Sequence, residues 1–168
     1  MKKITLFLAF IIIGISGPLW HLVYEWPGEN PIIGAVAPVN ESVWEHLKLL
    51  FFPAIIYFLI EYFLSKERYE NLIPADVIGI FMGTLTIVTF FYTYKGILGY
   101  DVAALDVLSY FIGLGVTLYV KSRILKKKSF SSKTAKYLSL IITAVTAVLF
   151  VIWSFYPPRL GIFIPPAL

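Results

Sequence analysis

The stretch NESVWEHLKLLFFPAIIYFLIEYFL, Asn40 to Leu64, decides the fold. It is long enough to cross a bilayer as a helix, yet its uninterrupted apolar run, Leu49 to Ile60, has only 12 residues. At 1.5 Å per residue that run covers ~18 Å of a hydrocarbon core ~30 Å thick. Glu61 marks one end, and about 20 residues back from it stands Glu41. Glu45, His46 and Lys48 therefore fall below the headgroup level on the other side. Charges at that depth cost a few kcal/mol each unless they are paired or wetted. The segment reads as a spanning helix with a polar end that needs partners.

Four further runs have spanning length. Together the five cover residues 4–24, 40–64, 74–94, 101–120 and 137–156. Period-2 alternation is lacking, which argues against a barrel. Of the 168 residues, 59% are hydrophobic and 14% charged, and the mean hydropathy is +0.83. Soluble domains carry roughly 25% charged residues, so lipid is the solvent this composition suits. The expected fold is an all-α integral membrane bundle of about five transmembrane helices, one membrane domain over 1–168. The first run resembles a signal peptide, with Lys2 and Lys3 before it, but lacks an A-x-A-like cleavage site and continues to spanning length. Gly79 and Gly83 form a small-xxx-small pair at which helices can approach closely.

Seven of the 14 Lys and Arg lie between Lys121 and Lys136. With the N-terminus inside, eleven basic residues fall in cytoplasmic segments (Lys2, Lys3, Lys66, Arg68 and that group of seven). Only Lys48, Lys95 and Arg159 fall on the outer side. This bias predicts a cell-membrane protein with a cytoplasmic N-terminus and an external C-terminus. The basic loop reports orientation rather than nucleic-acid binding, and it also suits anionic lipid. A homo-oligomer stays open.

The acidic residues and both histidines gather toward the opposite side. His21 and Glu25 are four residues apart on one helix face. Asn40 and Ser42 are rival N-caps, and Ser42 with Glu45 fits the S-x-x-E capping box. Glu45 and Lys48 are spaced for an ion pair. Asp106 lies about five residues inside Asp101 on the fourth run. Three helices thus place ionisable groups in one layer, which predicts an outward-facing polar cavity lined by His21, Glu25, Asn40, Glu41, Glu45, His46 and Asp106. Adjacent Glu45 and His46 point about 100° apart and cannot both ligate one metal from a straight helix. Whether a metal or any cofactor binds stays open. The chain has no Cys, hence no thiolate chemistry, and it lacks a phosphate-binding Gly loop and an H-E-x-x-H motif. The tail YPPRLGIFIPPAL is too short to span and too rich in Pro for a helix. Its apolar middle is expected at the outer interface, over the cavity mouth, or as a frayed end.

HLVYEWPGENPIIGAVAPVNESVWEHLKLLFFP (His21 to Pro53), YTYKGILGYDVAALDVLSYF (Tyr92 to Phe111) and YPP (Tyr156 to Pro158) resemble a family of small prokaryotic membrane proteins of unknown function. The NESVWEHLK string is the most specific part. The tail departs from the family pattern, which continues beyond the prolines with a longer polar stretch. The resemblance implies a multi-helix membrane fold and no activity. From the residues, the leading reading is binding of a small polar or cationic ligand, in transport or sensing. A membrane-embedded enzyme with a His/carboxylate site and a structural accessory subunit are the alternatives.

The topology is open to direct test, because the chain has no native thiol. Lys127→Cys is expected to react with an impermeant thiol reagent only after cells are opened. Labelling on intact cells would reverse the orientation.

Overall fold

The computed structural model describes residues 3–24, 26, 28, 30–64 and 69–165, without the Lys3 side chain. Its α-helices are α1 (Lys3–Leu22), α2 (Pro31–Gly34), α3 (Val43–Leu64), α4 (Leu72–Leu98), α5 (Ala103–Lys127) and α6 (Lys133–Phe155). All but the four-residue α2 are long and apolar enough to cross a membrane, and no strand occurs among the described residues. The chain is all-α, as its composition predicts. The long helices run alternately up and down. One end of the bundle, here the histidine face, gathers the C-termini of α1, α4 and α6 with the N-termini of α3 and α5. The other, the lysine face, carries the α5–α6 turn.

The ends of the helices differ from those read off hydropathy. α3 begins at Val43 rather than Asn40. Ser42 Oγ accepts from the Glu45 N–H at 3.4 Å and so caps the helix, while Asn40 Oδ1 accepts from the Ser42 N–H at 2.8 Å, one step outside. Glu45 does not complete the capping box, because the Ser42 N–H is already taken; its carboxylate turns to the Val39 N–H instead, at 2.9 Å. α5 continues seven residues past Val120, to Lys127. Hydropathy stops at the first lysine, whereas the helix continues because Lys121 is neutralised inside the bundle.

Close contacts set the packing. α4 and α5 form the most intimate pair. A Cβ on Gly79 would lie 2.7 Å from the Thr117 carbonyl oxygen, and one on Gly83 would lie 2.6 Å from that of Gly113. The small residues let two backbones meet, as membrane helix pairs require. α1 reaches α3 differently. Pro53 has no N–H, so the Leu49 carbonyl lacks its usual helical donor. Gly17 of α1 covers that oxygen, and a Cβ there would come within 2.7 Å of it. Beside it, the Tyr110 hydroxyl of α5 donates to the Ile13 carbonyl at 2.7 Å, joining α1 to α5. α6 is the least buried of the long helices; it lies mainly along α4 and reaches α3 through Phe150 and Ser154.

The tail folds back. A 3-10 turn at Gly161–Phe163 places Phe163 against Trp44 and Trp153, with ring centroids 5.1 and 5.4 Å apart. The apolar middle of the tail thus closes over the first turn of α3.

The α4–α5 contact makes a sharp prediction. Gly83→Ala is expected to lower stability in detergent by about 1–3 kcal/mol through overpacking. Gly115→Ala, where nothing lies within 4 Å of a new Cβ, is expected to be neutral or to gain up to about 1 kcal/mol of helix propensity. Equal melting curves for the two variants would refute the close approach.

Candidate functional site

The site is built on the loop between α1 and α3, which three helices hold. Asn30 caps α2 by accepting from the Ile32 N–H at 2.9 Å, with Pro31 in the first helical position. The Trp20 indole of α1 donates to the Val36 carbonyl at 3.0 Å. From α3, the Lys48 ammonium donates to the Gly34 and Ala37 carbonyls at 2.9 and 3.1 Å and to Ser154 Oγ of α6 at 2.6 Å. Glu45 balances it at 2.8 Å. The Glu45 carboxylate also accepts from the Val39 N–H and the Ser154 hydroxyl. Lys48 is 0% exposed and Glu45 1%. The ion pair read from their spacing is therefore present, fully buried, and committed to holding the loop.

That loop delivers Glu41 to the histidines. His21 Nε2, on the last turn of α1, lies 3.2 Å from Glu41 Oε1. His46 Nε2, on the first turn of α3, lies 3.4 Å from Glu41 Oε2. The imidazole centroids are 5.4 Å apart. One ligand atom from each of the three residues can be chosen so that all lie within 4.8 Å of one another. The histidines are half-buried and Glu41 is exposed, so the cluster faces outward from the protein.

His46 Nδ1 lies 3.0 Å from the Ser42 carbonyl oxygen. A carbonyl can only accept, so Nδ1 carries the proton. In the neutral tautomer Nε2 is then a bare lone pair aimed at a carboxylate oxygen. Two acceptors at 3.4 Å repel unless a proton or a metal ion lies between them. A backbone carbonyl that fixes the tautomer in this way is the usual outer-shell support of a ligating histidine.

The other expected site residues go elsewhere. Asn40 braces the cap of α3. Glu45 points away from His46 into the buried pair, as their adjacency on the helix requires. Asp106 accepts a short hydrogen bond from the Tyr94 hydroxyl, which in turn accepts from the Val102 N–H, so it closes the α4–α5 hairpin. Beside it Lys95 and Asp101 pair at 2.9 Å. Glu25 lies outside the described residues.

The sequence also holds a charged cluster that its own patterns did not announce. On the lysine face, Lys121 of α5 contacts Glu61 of α3 at 2.5 Å and Asp76 of α4 at 2.7 Å. The available signal was Asp76 itself, a carboxylate inside an apolar run two residues after Pro74.

Over residues 1–166 the sequence matches the family described as a family of unknown function, DUF6512. The chain belongs to that family. The matched range contains every residue of the histidine cluster and of the lysine-face cluster. No curated protein and no solved structure matches this DUF6512 chain.

The buried pair should dominate the stability of this end. Lys48→Met leaves Glu45 charged, buried and unpaired, and is expected to cost roughly 3–5 kcal/mol. His46→Ala, at a half-exposed position, is expected to cost about 1 kcal/mol or less. Thermal unfolding in detergent separates the two. Similar losses would show that Lys48 does not hold the loop.

Proposed function

We propose that this protein is a single-domain, multi-pass membrane protein that binds a divalent transition-metal cation at His21, Glu41 and His46, on the outward side of the membrane. The observation that carries the reading is the pairing of His46: Nδ1 committed to the Ser42 carbonyl, Nε2 turned to a carboxylate. Two imidazoles and one carboxylate suit Zn²⁺, Mn²⁺ or Fe²⁺. Donors around a tetrahedral Zn²⁺ with bonds of about 2.0–2.1 Å stand roughly 3.3 Å apart. The His21–Glu41 and His46–Glu41 separations of 3.2 and 3.4 Å, made to different oxygens of Glu41, are close to that, and the three donors together lie within 4.8 Å, so ligation draws them inward. Three protein ligands leave coordination positions to water. The eleven-to-three distribution of basic residues supports the outward placement. Capture of an external cation, for transport or sensing, is the role that this reading assigns. The lysine loop is proposed to rest on anionic lipid of the inner leaflet.

A second reading has one observation in its favour. A three-ligand site with an open position is also the arrangement of hydrolytic zinc centres, where the metal activates a bound water. In that reading the cation is resident and the substrate comes to it.

The test uses the full chain in detergent, stripped with EDTA and titrated with Co²⁺ and Zn²⁺. One saturable site is expected, with Co²⁺ visible absorption typical of nitrogen and oxygen ligation. His21→Ala, Glu41→Gln and His46→Ala are each expected to weaken it by at least about tenfold, the lower end of what even outer-shell losses cost. Absence of saturable binding, or equal binding by the His21→Ala/His46→Ala double variant, would overturn the reading.

A further inference from the structure

Glu61, Asp76 and Lys121 come from three helices and meet near the lysine face. Asp76 lies four residues into α4, and Lys121 lies six residues before the end of α5. Lys121 is 1% exposed, and the side chains of Glu61 and Asp76 are 11% and 9% exposed. The Phe58 ring of α3 covers the ammonium, its centroid 3.7 Å from Nζ. One ammonium therefore serves two carboxylates in a place largely closed by protein. The two do not share it equally. Glu61 Oε2 accepts a hydrogen bond at 2.5 Å. Asp76 Oδ1 lies 2.7 Å from the same nitrogen, and this buried oxygen has no other partner among the described residues.

With both carboxylates ionised the triad carries one net negative charge. Two like charges held against one nitrogen in an apolar setting do not both stay ionised when a proton can neutralise one of them. A sodium ion is a poorer candidate, because it needs several oxygen ligands. The neighbouring Thr117 hydroxyl is bonded to the Gly113 carbonyl within its own helix. We infer that the Glu61–Asp76 pair, bridged by Lys121, is a proton-binding site that holds one exchangeable proton inside the bundle, separate from the histidine cluster at its other end.

Among the described residues, the titratable and charged groups near the pair are these. From α3 there is Tyr57, one turn before Glu61. From α5 there is Lys121 itself. From α6, Lys136 lies over the ring of Tyr62, 5.9 Å from its centroid. On α5, Arg123 is turned to the Tyr119 ring. Lys121 is thus the described cation placed to compensate the pair. The two carboxylates titrate as a unit, so the proton belongs to the pair rather than to either residue.

Infrared difference spectroscopy on the full chain in lipid reads this directly, through the carbonyl band of a protonated carboxylic acid. At near-neutral pH without sodium, a band from a buried acid is expected, lost reversibly at alkaline pH. Asp76→Asn mimics the protonated state in shape and charge; it is expected to fold and to lose the band. Glu61→Gln should do the same. Lys121→Met removes the ammonium that the described carboxylates share, so the band is expected to grow to roughly twice its area as both acids hold protons. Should that variant fail to fold, Asp76→Asn and Glu61→Gln still decide. The proposal falls if no acid band appears between near-neutral and alkaline pH, if the band survives in both Asp76→Asn and Glu61→Gln, or if sodium removes it at constant pH.

Discussion

The Glu45–Lys48 pair is the interaction on which the histidine face depends. Buried in the first turns of α3, its groups have no water to turn to, so each must find protein partners. The structure provides them in the Gly34 and Ala37 carbonyls, the Val39 N–H and Ser154. In satisfying two charges, the chain fixes the path of residues 30–42 and ties α6 to α3. Glu41 is then set down between two histidines from different helices. An apolar pair at 45 and 48 would suit the bilayer better but would leave this loop without its hydrogen bonds to α3. Polar groups in lipid can contribute such organisation because the alternative, an unsatisfied charge, is so costly.

Elsewhere the bundle follows the same logic with weaker groups. Between α4 and α5 the apolar effect offers little, since lipid is as apolar as leucine. Backbone contact through Gly79, Gly83 and Gly113 takes its place. Pro53 frees a carbonyl, and α1 is drawn over it at Gly17. The aromatic group of Trp44, Phe150, Trp153 and Phe163 is the exception that resembles a soluble core, and it seals the end at which the loop is most polar.

Much of this was legible before any coordinates. The short apolar run of α3 announced that Glu45 and Lys48 lie below the headgroups, and their spacing offered the ion pair as an alternative to a place for Glu45 in an open cavity. The shared depth of His21, Glu41 and His46 was also readable. Their meeting was not, because it depends on the course of an irregular loop held by contacts from three helices. Asp106 shows the limit of arguing from depth alone: its level suggested a place beside the histidines, yet Tyr94 from its own hairpin satisfies it. Lys121 shows another limit. Hydropathy treats a lysine as the end of a span and cannot register that two carboxylates on other helices cancel it. Asp76, a single charge in an apolar run, carried information only once its partner was known.

The two charged clusters also differ in when the growing chain can complete them. Lys48 stands three residues from Glu45, so α3 brings both charges to the membrane already neutralised by one another. Glu61 must wait for Lys121, which follows it by 60 residues. Until α5 is synthesised, Glu61 and Asp76 of the α3–α4 hairpin lack the Lys121 ammonium that they share in the finished bundle. The order of synthesis thus makes α5 a late-arriving counterion, and the lysine face the part of this protein whose assembly is most exposed to delay during biogenesis.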